Sequence, residues 1–467
     1  MADHLAGLSA AALAEGVRSG RFTARAVAEA HLARIAAHDL KLGAFTAVTR
    51  ARALREADAI DAKRAAGAKL GALAGVPYAV KNLFDIEGVT TLAGSKINAG
   101  DPPAARDATL IERLAAADAV LLGALNMGEY AYDFTGENAH VGPSRNPHDL
   151  TRMSGGSSGG SGTATAAGFA AVTLGSDTNG SIRVPSSLCG LFGLKPTFGR
   201  LSRARSFPFV TSFDHLGPLA RSTADCAAFY DAMAGHDPDD PVCQDRPAEP
   251  LAPQVAAGVA GLRIAKAVGY FRQGASSEAL AAVDLVAKAL SASEIDIPDV
   301  ARARAAAYVI TNSEGATLHL KRLRERPQDF DPDTRDRFLA GALLPAAYVT
   351  MAQRFRQSFR GTMRSLFSGV DVILAPATPT VAPLIGQKTF ELGGVTLPVR
   401  ANLGIYTQPF SFVGLPVMTV PVWLEGAALP IGVQLVAPAW REDIAIRVAG
   451  FLEAQGLVQS KVASLGA

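Results

Sequence analysis

The apolar residues of this chain form short runs and helical stripes that alternate along its length. Residues 5–37 carry apolar side chains at helical spacing, and the polar stretch "SGRFT" separates two predicted helices. Residues 73–85 are an apolar run bounded by Gly and Pro, which predicts a buried strand entering a loop. Residues 108–126 predict a helix followed by a buried strand, an alternation typical of α/β proteins with a largely parallel sheet.

A change of composition divides the second half of the chain. Residues 235–254 are rich in Pro and acidic residues, which predicts a surface connector, and a mostly helical segment follows over about 255–368. Strand patterns return at 371–383 and 415–424, and residues 440–456 predict a closing helix. Both ends of the chain are therefore expected to build one sheet, in a single domain with a helical insertion.

Composition narrows the class of protein. The chain has 467 residues, of which 49% are hydrophobic and 19% charged, so it can bury a large core. Its net charge of +2 has no basic stripe, so no direct nucleic-acid binding is expected. Neither a signal peptide nor an apolar membrane span is visible, and the three cysteines are scattered, which favours the cytoplasm. The eight histidines lack ligand spacing, so we expect no metal and no cofactor.

The glycine-serine stretch at residues 153–162, "MSGGSSGGSG", has three interpretations. Its composition is that of a flexible linker, but apolar segments follow at once. A phosphate loop would need a lysine after the glycines, and none follows. G-x-S-x-G occurs twice, as in the nucleophile elbow of α/β-hydrolases, but "DLTRMS" before it is a poor strand. An elbow would also need a downstream histidine, for which the candidates are His215, His236 and His319.

The same stretch belongs to a set of motifs spread over nearly the whole chain. It continues, after the apolar residues 163–174 that fit either helix or strand, into "GSDTNGSIRVP". The other motifs, in chain order, are "GVPYAVKN", "NMGEYAY", "DHLGPLARS", "APATPT" and "GLPVMTVPV". In content, order and spacing they resemble the amidase signature family. The resemblance implies an α/β fold with a large mixed β-sheet core covered on both faces by helices. It also implies a single domain over residues 1–467, with its core signature at about 70–225.

The resemblance further implies a serine nucleophile activated by a lysine. It places the nucleophile at Ser181, a bridging serine at Ser157 and the base at Lys81, with a cis peptide bond between Gly156 and Ser157. A serine hydroxyl needs a positioned base, and a lysine can be that base only if burial lowers its pKa. The apolar run before Lys81 makes burial plausible, although without the other motifs an exposed ion pair would be the commoner interpretation.

Residues around the nucleophile receive supporting roles. By resemblance, the oxyanion hole consists of the backbone N–H groups of Thr178, Asn179, Gly180 and Ser181. Many relatives have Gly at the position of Asn179, and asparagine tolerates a left-handed backbone better than most residues. We also expect Ser158 and Ser161 to donate supporting hydrogen bonds, Asp177 and Arg183 to pair and brace the turn, and Cys189 to pack in the core.

The resemblance implies, as substrate, a small acidic amide or ureide that releases ammonia, with 1-carboxybiuret as the best candidate. Glutamine-using relatives carry an acidic residue where this chain has Gly404, so a clamp for the glutamine amino group is missing. Arg337 matches the position of their substrate-carboxylate arginine, and a guanidinium suits a carboxylate. Tyr132 and Met127 are further candidate substrate contacts.

Other functions and partners stay open at this point. The alternatives are another ureide- or oxamate-pathway amidase, the A subunit of a glutamine amidotransferase, a histidine-dependent esterase, and a noncatalytic scaffold. The resemblance also implies a small helical partner protein, similar to the C subunit of the amidotransferase, and an oligomeric assembly.

Overall fold

The computed structural model of the protein describes residues 2–466, in which helices alternate with strands. The helices are α1 (Ala2–Gly7), α2 (Ala10–Arg18), α3 (Ala24–Leu42), α4 (Arg50–Ala65), α5 (Thr109–Ala116), α6 (Gly159–Ala166), α7 (Arg183–Cys189), α8 (Thr223–Met233), α9 (Ser277–Ala289), α10 (Val300–Glu325), α11 (Pro332–Ala342), α12 (Ala346–Leu366), α13 (Val399–Asn402), α14 (Gln408–Phe412) and α15 (Glu442–Ala454). No helix in this range is both long and apolar enough to cross a membrane.

The strands form one large sheet and two small ones. They are β1 (Phe45–Val48), β2 (Pro77–Lys81), β3 (Val120–Leu125), β4 (Arg145–Asn146), β5 (Asp149–Met153), β6 (Val172–Asp177), β7 (Phe192–Lys195), β8 (His215–Ala220), β9 (Ile264–Ala267), β10 (Ser293–Ile295), β11 (Val372–Pro376), β12 (Thr389–Leu392), β13 (Val395–Pro398), β14 (Val417–Val422) and β15 (Ile431–Val436). The 11-stranded sheet has the order β1-β3-β2-β6-β8-β7-β14-β15-β11-β9-β10. The pairs β4-β5 and β12-β13 lie outside it.

The large sheet is mixed, as the expected fold class requires. Strand β2 runs parallel to β3 and β6, whereas the central pairs from β6 through β8, β7, β14 and β15 to β11 are antiparallel. The local expectation of a largely parallel sheet is therefore wrong for the centre of the sheet. Since β2 and β6 are parallel neighbours, their carboxyl ends lie at the same edge. This places Lys81 close to Ser176 and Asp177.

Most elements predicted from the hydrophobic pattern are present. Strands β2, β11 and β14 are buried along their whole length, because helices cover both faces of the sheet. The polar stretch "SGRFT" separates α2 from α3, and Thr23 caps α3 by accepting a hydrogen bond from the Ala26 backbone N–H. The ambiguous residues 163–174 contain the end of α6 and the start of β6, so each interpretation holds for one part.

Two predictions from local pattern are corrected. The segment expected to be mostly helical contributes β9 and β10 to one edge of the large sheet. Both are short, so their pattern is hidden between longer helices. Residues 149–153, judged a poor strand because they are polar, form β5 in a hairpin with β4. A hairpin outside the core can form from polar residues, because its strands pair through backbone hydrogen bonds and their side chains can face solvent.

The close approach of α10 and α11 depends on a glycine. A Cβ added to Gly341 of α11 would lie 2.1 Å from the backbone oxygen of Asn312 on α10. Gly361 in α12 instead faces open space, with nothing within 4 Å of an added Cβ. Only a glycine lets α11 lie this close to α10, and α11 carries Arg337 toward the pocket described below.

We therefore expect opposite effects from the same substitution in two helices. Gly341→Ala should lower the free energy of unfolding by about 1–3 kcal/mol, because the backbones must separate. Gly361→Ala should raise it by about 0.5–1 kcal/mol, since alanine favours a helix and meets no neighbour. Urea denaturation of both variants measures the difference, and equal effects would contradict the assigned contact.

Candidate active site

A fully buried lysine lies at the carboxyl end of β2. Lys81 has no exposed surface, and its Nζ donates hydrogen bonds to Ser157 Oγ at 2.6 Å and to Ser176 Oγ at 2.9 Å. None of the ion pairs found in residues 2–466 involves it. The amine therefore lies among neutral hydroxyl groups in the protein interior.

Burial controls the protonation of this lysine. It lowers the pKa of Lys81 from 10.5 to about 7, because the interior disfavours the ammonium form. The nearby carboxylates of Asp214, Asp177 and Asp133 oppose this by raising the pKa, but desolvation is the larger effect. A substantial fraction of neutral amine therefore exists near neutral pH.

The glycine-serine stretch forms the floor of the site. The peptide bond between Gly156 and Ser157 is cis, as the family resemblance implies. Gly156 has no room for a side chain, since an added Cβ would lie 2.3 Å from Asp133 Oδ2 and 2.7 Å from the Gly136 nitrogen. The glycine thus lets the backbone pass close to a buried carboxylate, and the linker interpretation is wrong.

Two further serines of this stretch fix it to β6. Ser158 Oγ donates to the Ser176 carbonyl at 3.2 Å, and Ser161 Oγ donates to the Leu174 carbonyl at 3.0 Å. Both serines are fully buried. Their expected supporting role is confirmed.

The turn between β6 and α7 presents a row of backbone donors. Within residues 2–466, the N–H groups of positions 178 to 181 donate to no protein acceptor. The left-handed residue of this turn is Gly180, with φ +144°, and an added Cβ there would lie 2.1 Å from Thr407 Oγ1. Asn179 does not have a positive φ. The tolerance of asparagine for a left-handed backbone therefore does not explain this residue. Ser181 Oγ is also free of protein hydrogen bonds in the described range.

A buried ion pair holds this turn from behind. Arg183 Nε and Nη2 each donate to a different oxygen of Asp177 at 2.9 Å, and both side chains are fully buried. Arg183 Nη1 also donates to the Thr407 carbonyl and to Gln434 Oε1. The predicted brace is confirmed, and it ties the turn to β15 and to the start of α14. The interaction with Arg183 keeps the pKa of Asp177 far below its usual range, so the carboxylate stays charged.

A narrow pocket opens in front of Ser181. Its lining residues come from six parts of the chain: Ala131, Tyr132, Asp133, Phe134, Thr178, Asn179, Ser181, Phe209, Tyr308, Thr311, Arg337 and Gln408. The Arg337 guanidinium lies 4.1 Å from the centre of the Tyr132 ring and donates to the Tyr132 carbonyl at 3.0 Å. Arg337 and Tyr132 thus reach the pocket, as expected from the sequence.

Met127 is not brought to this pocket. Its side chain is 2% exposed and packs in the main hydrophobic core, while its carbonyl accepts from Asn138 Nδ2. The Met127 prediction came from a motif position, and a motif does not distinguish a core contact from a pocket contact.

Cys189 packs in a small apolar cluster, as predicted.

Three side-chain contacts of the site were not predicted from the sequence. Ser176 contacts Lys81, Thr178 Oγ1 donates to Asp214 Oδ1 at 2.6 Å, and Thr311 accepts from Asn179 Nδ2 at 3.0 Å. Thr311 is on α10, 132 positions from Asn179. Only the packing of α10 against the turn brings them together.

The histidines do not support an esterase. His215 Nδ1 pairs with the Asp177 carbonyl at 3.0 Å, and His319 lies among the rings of Tyr130, Phe330 and Phe338. Burial lowers the pKa of His319 to about 3. His236, the third candidate, is exposed. Within residues 2–466, none of the three rings is hydrogen-bonded to a serine of the glycine-serine stretch or of the turn, whereas Lys81 is.

Comparison with known proteins defines the class. The Amidase family profile matches residues 26–445, and the chain belongs to the amidase signature family of C–N hydrolases. Its sequence is 56% identical over 449 residues to the AtzE subunit of 1-carboxybiuret hydrolase from Pseudomonas sp. strain ADP, covering 96% of this chain and 98% of that protein. It is 40% identical to the A subunit of glutamyl-tRNA(Gln) amidotransferase from Azotobacter vinelandii, covering 95% and 96%.

A solved structure agrees with the sequence comparison. It belongs to a vestigial protein complex described as revealing the evolutionary origins of an s-triazine catabolic enzyme. The TM-score is 0.96 at 54% identity, covering 97% of this chain and 100% of that one. The mixed sheet and the arrangement of helices are therefore those of an amidase signature protein.

Burial of Lys81 has a measurable effect on stability. Between its folded pKa of about 7 and an unfolded value near 10.5, the unfolded chain holds the extra proton, so this group makes folding more favourable as pH rises. Lys81→Met removes that dependence. As pH rises, the wild type should therefore gain stability over the variant. The free energy of unfolding of the variant, minus that of the wild type, should fall by about 1.4 kcal/mol per pH unit between roughly pH 8 and 9.5.

Urea denaturation of both proteins at several pH values measures this difference, in which the other titrating groups cancel. A difference that stays constant over the range would mean that the lysine keeps its ordinary pKa in the fold.

Proposed function

We propose that this amidase hydrolyses the terminal C–N bond of a small acidic ureide through a Ser181 acyl-enzyme, with 1-carboxybiuret as its substrate. The observation that carries the proposal is the 2.6 Å hydrogen bond between buried Lys81 and Ser157, behind the pocket that Ser181 lines. Similarity to the AtzE protein of 1-carboxybiuret hydrolase supports the choice of substrate.

Lys81 acts as the base because burial leaves a substantial fraction of its amine neutral near pH 7. In the first step Ser181 Oγ attacks the carbonyl carbon, its proton passes to Ser157 Oγ, and the Ser157 proton passes to Lys81 Nζ. Ser157 has the contact with Lys81 that this relay needs. The relay avoids placing a charged carboxylate beside the lysine, which would stabilise the ammonium form and weaken the base.

The turn before the nucleophile stabilises the charge that develops on the carbonyl oxygen. Its uncommitted backbone N–H groups, at positions 178 to 181, can donate to the oxyanion without breaking existing bonds. Collapse of the intermediate breaks the C–N bond, and the proton held on Lys81 returns through Ser157 to the leaving nitrogen. Ammonia departs, and Ser181 is left as an ester.

Water then completes the reaction by the same route. It attacks the ester carbonyl while its proton moves to Lys81 through Ser157. The Ser181–acyl bond then breaks, and the proton returns from Lys81 through Ser157 to Ser181 Oγ, which restores the free enzyme. With 1-carboxybiuret and one water, the products are ammonia and a dicarboxylated urea. Atoms balance without a metal or redox cofactor.

Arg337 supplies the binding site for the substrate carboxylate. Of its donors, one is used by the Tyr132 carbonyl, and no other protein acceptor in residues 2–466 occupies the guanidinium. It lies over the Tyr132 ring at the pocket wall, so the ring fixes its position. A cation in this place favours an anionic end on a short substrate.

Glutamine is a poorer substrate candidate. The position that would carry the acidic clamp is Gly404, and an added Cβ there would lie 2.4–2.8 Å from atoms of the Phe134 ring. No acidic side chain fits without displacing Phe134, which itself lines the pocket. The pocket thus has a group for a carboxylate but no room for a clamp on an ammonium group.

We also propose a partner protein. The solved relative was obtained as a protein complex, and the relatives at about 40% identity are named as subunits of an amidotransferase. A small helical protein similar to the amidotransferase C subunit is the partner that these relationships favour.

Removal of any member of the triad should abolish turnover while the fold persists. Ser181→Ala and Lys81→Met should each lower kcat for ammonia release from 1-carboxybiuret by roughly 10³-fold or more, and Ser157→Ala by at least about 10²-fold. The double variant Lys81→Met/Ser181→Ala should be no worse than either single variant, because the residues act as a unit.

Ser161→Ala is the matched control, since this serine lies in the same stretch and is equally buried, but its hydroxyl donates to the Leu174 carbonyl and not to Lys81 or Ser181. It should keep activity within a few-fold of the wild type. Wild-type activity in Ser181→Ala or Lys81→Met would refute the assignment.

Loss of the Arg337 guanidinium should weaken binding of acidic substrates selectively. Arg337→Ala should lower kcat/KM for 1-carboxybiuret by about 10- to 100-fold, mainly through KM, while neutral biuret is affected much less. Arg335→Ala serves as the control, because that arginine is on the same helix and pairs with Asp336 instead. Equal losses for both substrates would show that Arg337 only supports the fold.

A further inference from the structure

Asn179 holds an unsatisfied hydrogen-bond acceptor inside the pocket. Its side chain is 6% exposed, and its Nδ2 donates to Thr311 Oγ1 at 3.0 Å across the pocket. Its Oδ1 is buried and has no partner among the described residues. A buried carbonyl oxygen without a donor is costly, and native proteins leave few of them.

The other carboxylate and carbonyl oxygens on the lining side chains are already used. Asp133 accepts from Thr135, Gly136 and Arg400, and Gln408 Oε1 accepts from Arg304. Among the carboxylate and amide oxygens that line the pocket within residues 2–466, only Asn179 Oδ1 therefore accepts no hydrogen bond. Among the carboxylate and amide oxygens of the lining side chains, a ligand that binds here therefore meets one free acceptor.

The position of Asn179 relates this acceptor to the reacting carbonyl. Its own backbone N–H belongs to the row of donors for the oxyanion, two positions before Ser181. Its side chain extends from that turn toward α10, where Thr311, 1% exposed, holds the amide group. Asn179 and Ser181 line the same pocket, so a substrate whose carbonyl is held by the turn binds beside the residue that carries Oδ1.

We propose that Asn179 Oδ1 accepts a hydrogen bond from the internal N–H of a ureide, next to the carbonyl that Ser181 attacks. The inference rests on the proposed function and adds a specificity residue to it. A ureide has an N–H at this position where an ordinary dicarboxylic amide has a CH₂ group. The CH₂ analogue leaves Oδ1 buried without a donor, so the site selects against it.

Matched ligand pairs isolate this single atom. Allophanate and malonamate differ only in N–H against CH₂ between the carboxylate and the amide, and biuret and malonamide are the corresponding neutral pair. Dissociation constants are measured by calorimetry in a Ser181→Ala background, so that differences in chemical reactivity do not enter. The ratio of dissociation constants, CH₂ ligand over N–H ligand, is the readout.

In the Ser181→Ala background we expect this ratio to be roughly tenfold for each pair. Adding Asn179→Leu should reduce it to about one. Adding Asn179→Asp, which keeps an acceptor oxygen in place, should preserve the ratio even if the new charge weakens binding of both acidic ligands. Thr311→Val should lower the ratio because the amide loses its support, whereas Thr311→Ser should keep it.

Several outcomes would overturn the inference. An unchanged ratio in the Asn179→Leu variant would show that Oδ1 does not select the internal N–H. Equal weakening of both members of a pair would show that Oδ1 contacts the leaving amide, which every primary amide has, or that it only supports the pocket. Failure of both members to bind before Asn179 is changed would also refute it.

Failure of the proposed function gives a different result. It would appear as absence of ammonia release from acidic ureides by the unmodified enzyme. If the unmodified enzyme releases ammonia from acidic ureides but Asn179→Leu does not change the ratio of dissociation constants, the proposed function stands and only the role of Asn179 is refuted.

Discussion

The rest of the site depends on keeping an amine without a counter-ion in the protein interior. Lys81 has two serine hydroxyls as partners and no carboxylate in contact, and burial outweighs three more distant acidic residues in setting its pKa. This requires β2 to be covered on both sides and the glycine-serine stretch to lie tightly over the amine. The glycines between positions 155 and 160 allow that approach, because side chains there would meet neighbouring backbone or buried groups.

A second buried group, this one charged, braces the turn before Ser181. The Arg183 guanidinium contacts Asp177 with two hydrogen bonds and reaches Gln434 on β15 and the Thr407 carbonyl. Asp177 stays ionised because its partner is permanently charged and equally buried. The fold thus holds one ionised pair and one amine with a lowered pKa near each other at the same edge of the sheet. Both groups depend on the exclusion of water from this edge of the sheet.

Sequence reasoning succeeded for features that depend on neighbours in the chain. The buried strands β2, β11 and β14 could be predicted from their apolar runs, and the order of motifs identified the family. It failed for β9, β10 and the polar hairpin strand β5, because pairing across the sheet decides whether a short segment becomes a strand. The G-x-S-x-G pattern also follows a strand, β5, and precedes α6, yet Ser157 meets a lysine rather than a histidine.

The amino-acid sequence alone determined the chemical inventory: the lysine after an apolar strand, the serines among glycines, and the arginine at position 337. Local spacing is enough for this because each motif is a continuous stretch of backbone. Tertiary structure decided which groups meet. It placed Ser176 beside Lys81, packed Met127 in the core, and set Thr311 of α10 against Asn179, 132 positions away. These contacts arise from strand order and helix packing, which bring distant segments together.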